Sequence, residues 1–143
     1  MNRMDRLFRA DPARRSEIVR LLESRLAGDA SLLFAYLYGS FHDRPDMGFH
    51  DIDVAVSLSA QQRGRETDAA LALASDLSAL AGFPVDVRVL ECAPVTFRFH
   101  ALHGRLLACR DEPTLTAMLE DTMRRYFDLA PVLHRAGAEA FAG

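Results

Sequence analysis

The sequence predicts an α/β (α+β) fold, and three observations carry that prediction. Short apolar or alternating runs interleave with amphipathic stretches in the order helix, strand, strand, helix, strand, helix, strand, helix. Residues 51–58 and 84–90 alternate with period two. A chain of 143 residues, 50% of them hydrophobic, can close a core of its own, and no repeat, linker or low-complexity segment divides it. One domain is expected over residues 1–143, with its core at about 30–110 and a C-terminal helical segment at 112–143.

The elements follow in order. Met4, Leu7 and Phe8 stand among arginines and make either a docking turn or a frayed end. Asp11-Pro12 reads as a helix start, with Asp as cap and Pro in the first turn. Ile18, Leu21, Leu22 and Leu26 then form one apolar stripe, the Arg and Glu residues between them form the wet face, and Gly28 ends the helix. Leu32–Tyr38 is apolar, short and closed by Gly39, which favours a buried strand. In the next strand Ile52, Val54 and Val56 take one face, so Asp51 and Asp53 take the other.

Ser59-x-x-Gln62 has the form of a capping box opening a helix lined by Leu73, Leu77 and Leu80 and ended by Gly82. Val85, Val87 and Val89 alternate with Asp86 and Arg88 in a third strand. A short helix over 94–102, an edge strand at 106–109 and a last helix from Asp111-Glu112-Pro113 complete the chain, with Pro131 expected to bend or break that helix.

Composition removes several classes of function. A net charge of −3 supplies no basic field for nucleic acid. All 17 basic side chains are Arg, so a catalytic lysine is excluded and any cationic phosphate contact comes from an arginine fork or a histidine. Cys92 and Cys109 lack metal-ligand spacing and read as buried or half-buried thiols. Without a signal-length or membrane-length apolar run, the expected location is the cytoplasm.

The chemistry-bearing residues lie around the second strand. Gly39-Ser40 permits a tight turn and, with a short helix beginning at Ser40, an anion site, although Gly-Ser alone is a common turn. Asp51 and Asp53 project from one face, and carboxylates about 4 Å apart repel by up to ~4 kcal/mol at an effective dielectric near 20. A solvated strand end or a divalent cation relieves that repulsion. Asp86, set between valines, would be costly to bury unless paired with Arg88 or bound to metal. Three aspartates on neighbouring strands beside a Gly-Ser turn would suit a two-metal phosphoryl-transfer site.

Gly39-Ser40, ten intervening residues and then Asp51-Ile52-Asp53, with Val85-Asp86-Val87 later, resembles the signature of the DNA polymerase β-like nucleotidyltransferase superfamily. The short chain resembles its minimal, MNT-domain members, over about Leu32 to Cys109. The resemblance implies the polymerase β-like fold, a small mixed sheet with helices packed mainly on one face. It implies that Gly39 and Ser40 hold the triphosphate of ATP and that Asp51, Asp53 and Asp86 bind Mg²⁺, as two ions, with Asp86 helping to activate the attacking hydroxyl. Members often read G-S-x-A-R-G followed by S-D-I-D. Here the stretch is Gly39-Ser40-Phe41-His42-Asp43-Arg44, and His50 precedes the D-I-D. Asp43 stands where Arg is common, leaving Arg44 or His42 to contact phosphate.

Small MNT proteins pair with HEPN-domain toxins, and the resemblance implies an antitoxin that transfers AMP from ATP to a toxin tyrosine. It is compatible with a homo- or hetero-oligomer. Two other readings stand beside it: a degenerate MNT fold that neutralises by contact, and a transferase for small molecules of the aminoglycoside type. His100 and His103 have metal-compatible spacing but no further ligand, so surface histidines are expected, and His50 is expected to be exposed. Tyr126 and its neighbouring arginines form a partner-contact surface or a solvated face.

Overall fold

The computed structural model describes residues 6–142. Its elements are α1 (Pro12–Ala27), β1 (Leu32–Tyr38), α2 (Ser40–Asp43), β2 (Ile52–Leu58), α3 (Glu66–Ala81), β3 (Val85–Val89), α4 (Val95–Ala101), β4 (Arg105–Cys109) and α5 (Glu112–Ala142). The strands lie in the order β3-β2-β1-β4. β1 runs antiparallel to both β2 and β4, while β2 and β3 are parallel and joined across α3. The sheet is therefore mixed. The parallel pair brings Asp53 opposite Asp86.

Period-two alternation divides the sheet into two faces. Ile52, Val54 and Val56 meet Ile18, Leu22 and Leu26 of α1 and Leu73 and Leu77 of α3, which form the larger core. Phe34, Tyr36 and Ala55 point the other way and are covered by Leu90, Ala101, Leu102 and Leu115. That second cover, from α4 and the start of α5, sits over β1.

Asp11 caps α1 as expected, accepting from the Arg14 N–H at 2.7 Å. The N-terminal segment docks: Phe8 forms an isolated antiparallel bridge with Phe49 and stacks edge-on against Phe83. Met4 lies outside the described residues.

Four expectations are corrected. The Ser59-x-x-Gln62 box does not open α3. Ser59 heads only a 3-10 turn over Ala60–Gln62, with no side-chain cap bond. Gly64, at φ 85°, turns the chain, and Glu66 then accepts the Gly64 N–H as α3 begins. Leu80 is on the outer side of its helix, 38% exposed. Cys92 is exposed rather than buried. Pro131 lies inside α5 without ending it. Proline removes one N–H, and because Phe127 and Pro131 are both exposed, water can satisfy the carbonyl left free.

Among the described residues no helix is long and apolar enough to cross a membrane.

Candidate active site

At Gly39 the backbone takes φ 82°, open to glycine and strained for other residues. A Cβ there would also collide with Oδ2 of Asp53, the cross-strand partner of Tyr38. Glycine is thus required twice, by its own turn and by the carboxylate behind it. The turn releases the chain into α2, whose first residue, Ser40, is exposed. The Gly39 carbonyl accepts from the His42 and Asp43 N–H groups, leaving the earlier N–H groups of the turn without an intrahelical acceptor.

The three aspartates share one side of the sheet. Asp51 and Asp53 are half-buried, and their carboxyls lie within hydrogen-bonding reach of one another. Burial, then the charge and hydrogen bond of Asp51, then the charge of Asp86, push the Asp53 carboxyl up to about 7, with Arg88 partly opposing the shift. Burial and the same carboxylates raise the Tyr38 hydroxyl well above its ordinary value.

Asp86 is exposed, which corrects the expectation that it sits among buried residues. β3 is an outer strand with alternating burial, so its Asp86–Arg88 face stays wet. Nor does Arg88 pair with Asp86 among the described ion pairs; its guanidinium stands 4.1 Å over the Phe97 ring.

The raised carboxyl has a measurable consequence. From the ordinary value near 3.8 up to about 7, the folded chain retains a proton that the unfolded chain has lost. The metal-free protein is therefore expected to lose stability as pH rises through that window, by less than ~1.4 kcal/mol per pH unit, and to level off above it. Thermal melts from acid to neutral pH would show the decline, and Asp53→Asn should flatten it.

Between Ser40 and Asp51 runs a loop whose shape comes from Arg15, one turn before Ile18 on α1. Arg15 is 7% exposed. It donates to the carbonyls of Ala10 at 2.9 Å, Phe41 at 2.9 Å and Met47 at 2.6 Å, with its guanidinium about 5 Å from the Phe41 and Phe49 ring centroids. Phe41, Phe49, Phe83 and Phe8 complete the aromatic cluster. An apolar face interrupted by one Arg was the only hint in the sequence.

Asp43 and Arg44 are exposed at the end of α2, and His42 is half-buried. His50 is exposed, with Nδ1 2.9 Å from the Arg6 carbonyl oxygen. His103 Nδ1 lies 2.6 Å from the Phe99 carbonyl oxygen, and Tyr126 stacks on the Phe99 ring at 3.6 Å. The neighbouring Arg124 and Arg125 both pair with Asp121.

Among the described residues no three His, Cys, Asp or Glu side chains are gathered closely enough to form a ready metal cage. The donor set nevertheless fits a hard dication. It consists of carboxylate oxygens, two of them crowded and half-buried, with one exposed carboxylate opposite. A hard dication keeps waters and shares phosphate oxygens, so a partial cage suits it.

A strand-turn-helix with Gly39-Ser40, followed by aspartates in register on two parallel strands, is the framework of a nucleotidyl-transfer enzyme. The family model described as polymerase beta, nucleotidyltransferase, matches residues 21–113, and the chain belongs to that family. Its reaction class is nucleotidyl transfer, with a nucleotide as substrate. No curated protein sequence matches significantly.

Solved structures share the fold. One is tri-AMPylated Shewanella oneidensis HEPN toxin in complex with MNT antitoxin: TM-score 0.57, 21% identity, 91% of this chain and 93% of that chain covered. A toxin–antitoxin structure with AMP-PNP gives TM-score 0.60 and 20% identity over 87% of this chain and 98% of that chain. A toxin–antitoxin MntA-HepT structure gives 0.56 and 18%, covering 88% and 98%.

Proposed function

We propose that this protein is a Mg²⁺-dependent adenylyltransferase that moves AMP from ATP to a hydroxyl, a tyrosine, of a HEPN-type partner, acting as its antitoxin in the cytoplasm. The observation that carries the reading is the register of Asp53 against Asp86 beside the Gly39-Ser40 turn. Support for the nucleotide and the partner comes from the similar structures, one with AMP-PNP and one with an AMPylated HEPN toxin.

In this reading Asp51, Asp53 and Asp86 hold the ions. Bound there, Mg²⁺ neutralises phosphate charge and favours the deprotonated acceptor. The chain's own groups do the rest. Gly39 lets the backbone approach the phosphates, Ser40 donates its hydroxyl, and Arg44 offers a cationic fork at the end of α2. Asp86, exposed and without an arginine partner among the described residues, accepts the acceptor's proton.

The test is transfer of label from α-³²P-ATP to a purified HEPN-type partner protein. Asp86→Asn should lower the rate by at least ~100-fold while leaving the melting temperature nearly unchanged, because the side chain is exposed. Full neutralisation of the toxin by a variant that transfers no label would replace the reading with inhibition by contact.

A further inference from the structure

On the sheet face that packs against α1, away from the aspartates, a cleft of about 450 Å³ opens between α1, α2 and the start of β4. Its lining carries Arg15, Arg20, Arg105 and His42 against a single carboxylate, Glu23. With His42 neutral, three guanidinium charges and one carboxylate leave the cleft at +2, in a chain whose net charge is −3. We propose that this cleft is a binding site for a phosphate-bearing anion.

Arg15 supplies the first argument. Charged side chains are rarely buried without a counter-ion, because taking an ion out of water is costly. Arg15 is 7% exposed, yet among the described residues no carboxylate stands within ion-pair distance of it. Its three nitrogens each donate to a backbone carbonyl, which orients the guanidinium but brings no opposite charge. The field of this buried cation reaches into the cleft that it lines, where an anion completes the pair.

The rim supplies the second. Arg20 is exposed and forms no ion pair among the described residues, while Glu23 of the same helix turns instead to Arg105 at 3.2 Å. Ser16, one turn before Arg20, adds a hydroxyl donor. These groups stand on α1, α2 and β4 and so approach the cleft from different sides. Such an arrangement suits a tetrahedral phosphate, whose oxygens point apart, better than a flat carboxylate. The volume falls within the range of small-molecule sites, about 300–1,000 Å³. Two sources share this chemistry: the pyrophosphate that nucleotidyl transfer releases, and the phosphate of a nucleotide such as AMP.

The test is equilibrium dialysis of ³²P-pyrophosphate and ³²P-AMP against the protein in EDTA, where the aspartates repel phosphate instead of sharing a metal with it. Arg20→Ala and Arg105→Ala, both at exposed positions, should each weaken binding by at least ~10-fold. Glu23→Gln should tighten it by about threefold, because the rival for Arg105 loses its charge. Tighter binding of pyrophosphate than of AMP assigns the site to the product of transfer, and the reverse order assigns it to a separate nucleotide. Wild-type affinity in folded Arg20→Ala and Arg105→Ala would overturn the proposal. Binding that is lost in Ser40→Ala would overturn it too, by placing the anion at the Gly-Ser turn, and so would a wild-type protein that binds neither ligand. None of these outcomes depends on which group is transferred or to what acceptor.

Discussion

Replacing Asp53 by asparagine is expected to abolish transfer and to stabilise the fold at neutral pH. The two effects have one cause. Asp53 is half-buried, crowded by Asp51 and opposed by Asp86, which is why its carboxyl resists ionisation up to about 7. Asparagine keeps the shape and removes the charge. Relief of repulsion should be worth about 1–2 kcal/mol after allowance for partial exposure. Loss of the carboxylate should lower the transfer rate at least ~1,000-fold, since electrostatic stabilisation of the reacting phosphate is the largest contribution a site of this kind makes. Paired melts and single-turnover labelling would check both signs. Measurable transfer by the variant near the wild-type rate would remove Asp53 from the site, and a large fall in melting temperature would mean that its carboxylate is a structural ligand instead.

The second large effect is expected at Arg15, far from the aspartates in the chain. Its guanidinium holds three carbonyls and two aromatic rings, and among the described residues it forms no ion pair. Arg15→Met keeps most of the apolar stem but leaves the Phe41 and Met47 carbonyls without their donor. The cost should be about 3 kcal/mol, read from urea unfolding. Transfer should fall as well, because Phe41 follows Ser40 and the loop leads directly into Asp51. Arg15→Lys should recover little, since an ammonium cannot span three acceptors in the plane of a guanidinium. Wild-type stability in Arg15→Met would show that the aromatic cluster holds the loop unaided.

These two residues also mark the limit of what could be read before the fold was known. Asp53 was legible as a candidate because its evidence is local: a Gly-Ser turn, a fixed spacing and alternation that puts Asp51 and Asp53 on one face. Asp86 was legible as a candidate, but not its exposure, which depends on β3 being an outer strand. Strand order is a property of the whole sheet. Arg15 was not legible because its partners are backbone carbonyls of distant segments, and a carbonyl leaves no mark on residue type. Ser59 failed for a related reason. A side-chain spacing can suggest a capping box, yet the left-handed turn at Gly64 decides where α3 starts.

The parallel pairing of β2 with β3 has a consequence for the rate at which the protein comes apart. The two strands are separated in sequence by the whole of α3, so Asp53 and Asp86 meet only after a non-local crossover has closed. Contacts of this kind tend to form late on the folding route. Carboxylate repulsion that arises late acts mainly on unfolding and hardly on refolding. The ionised, metal-free protein should consequently be short-lived in its native state although it refolds at an ordinary speed, and an occupied site should extend that lifetime.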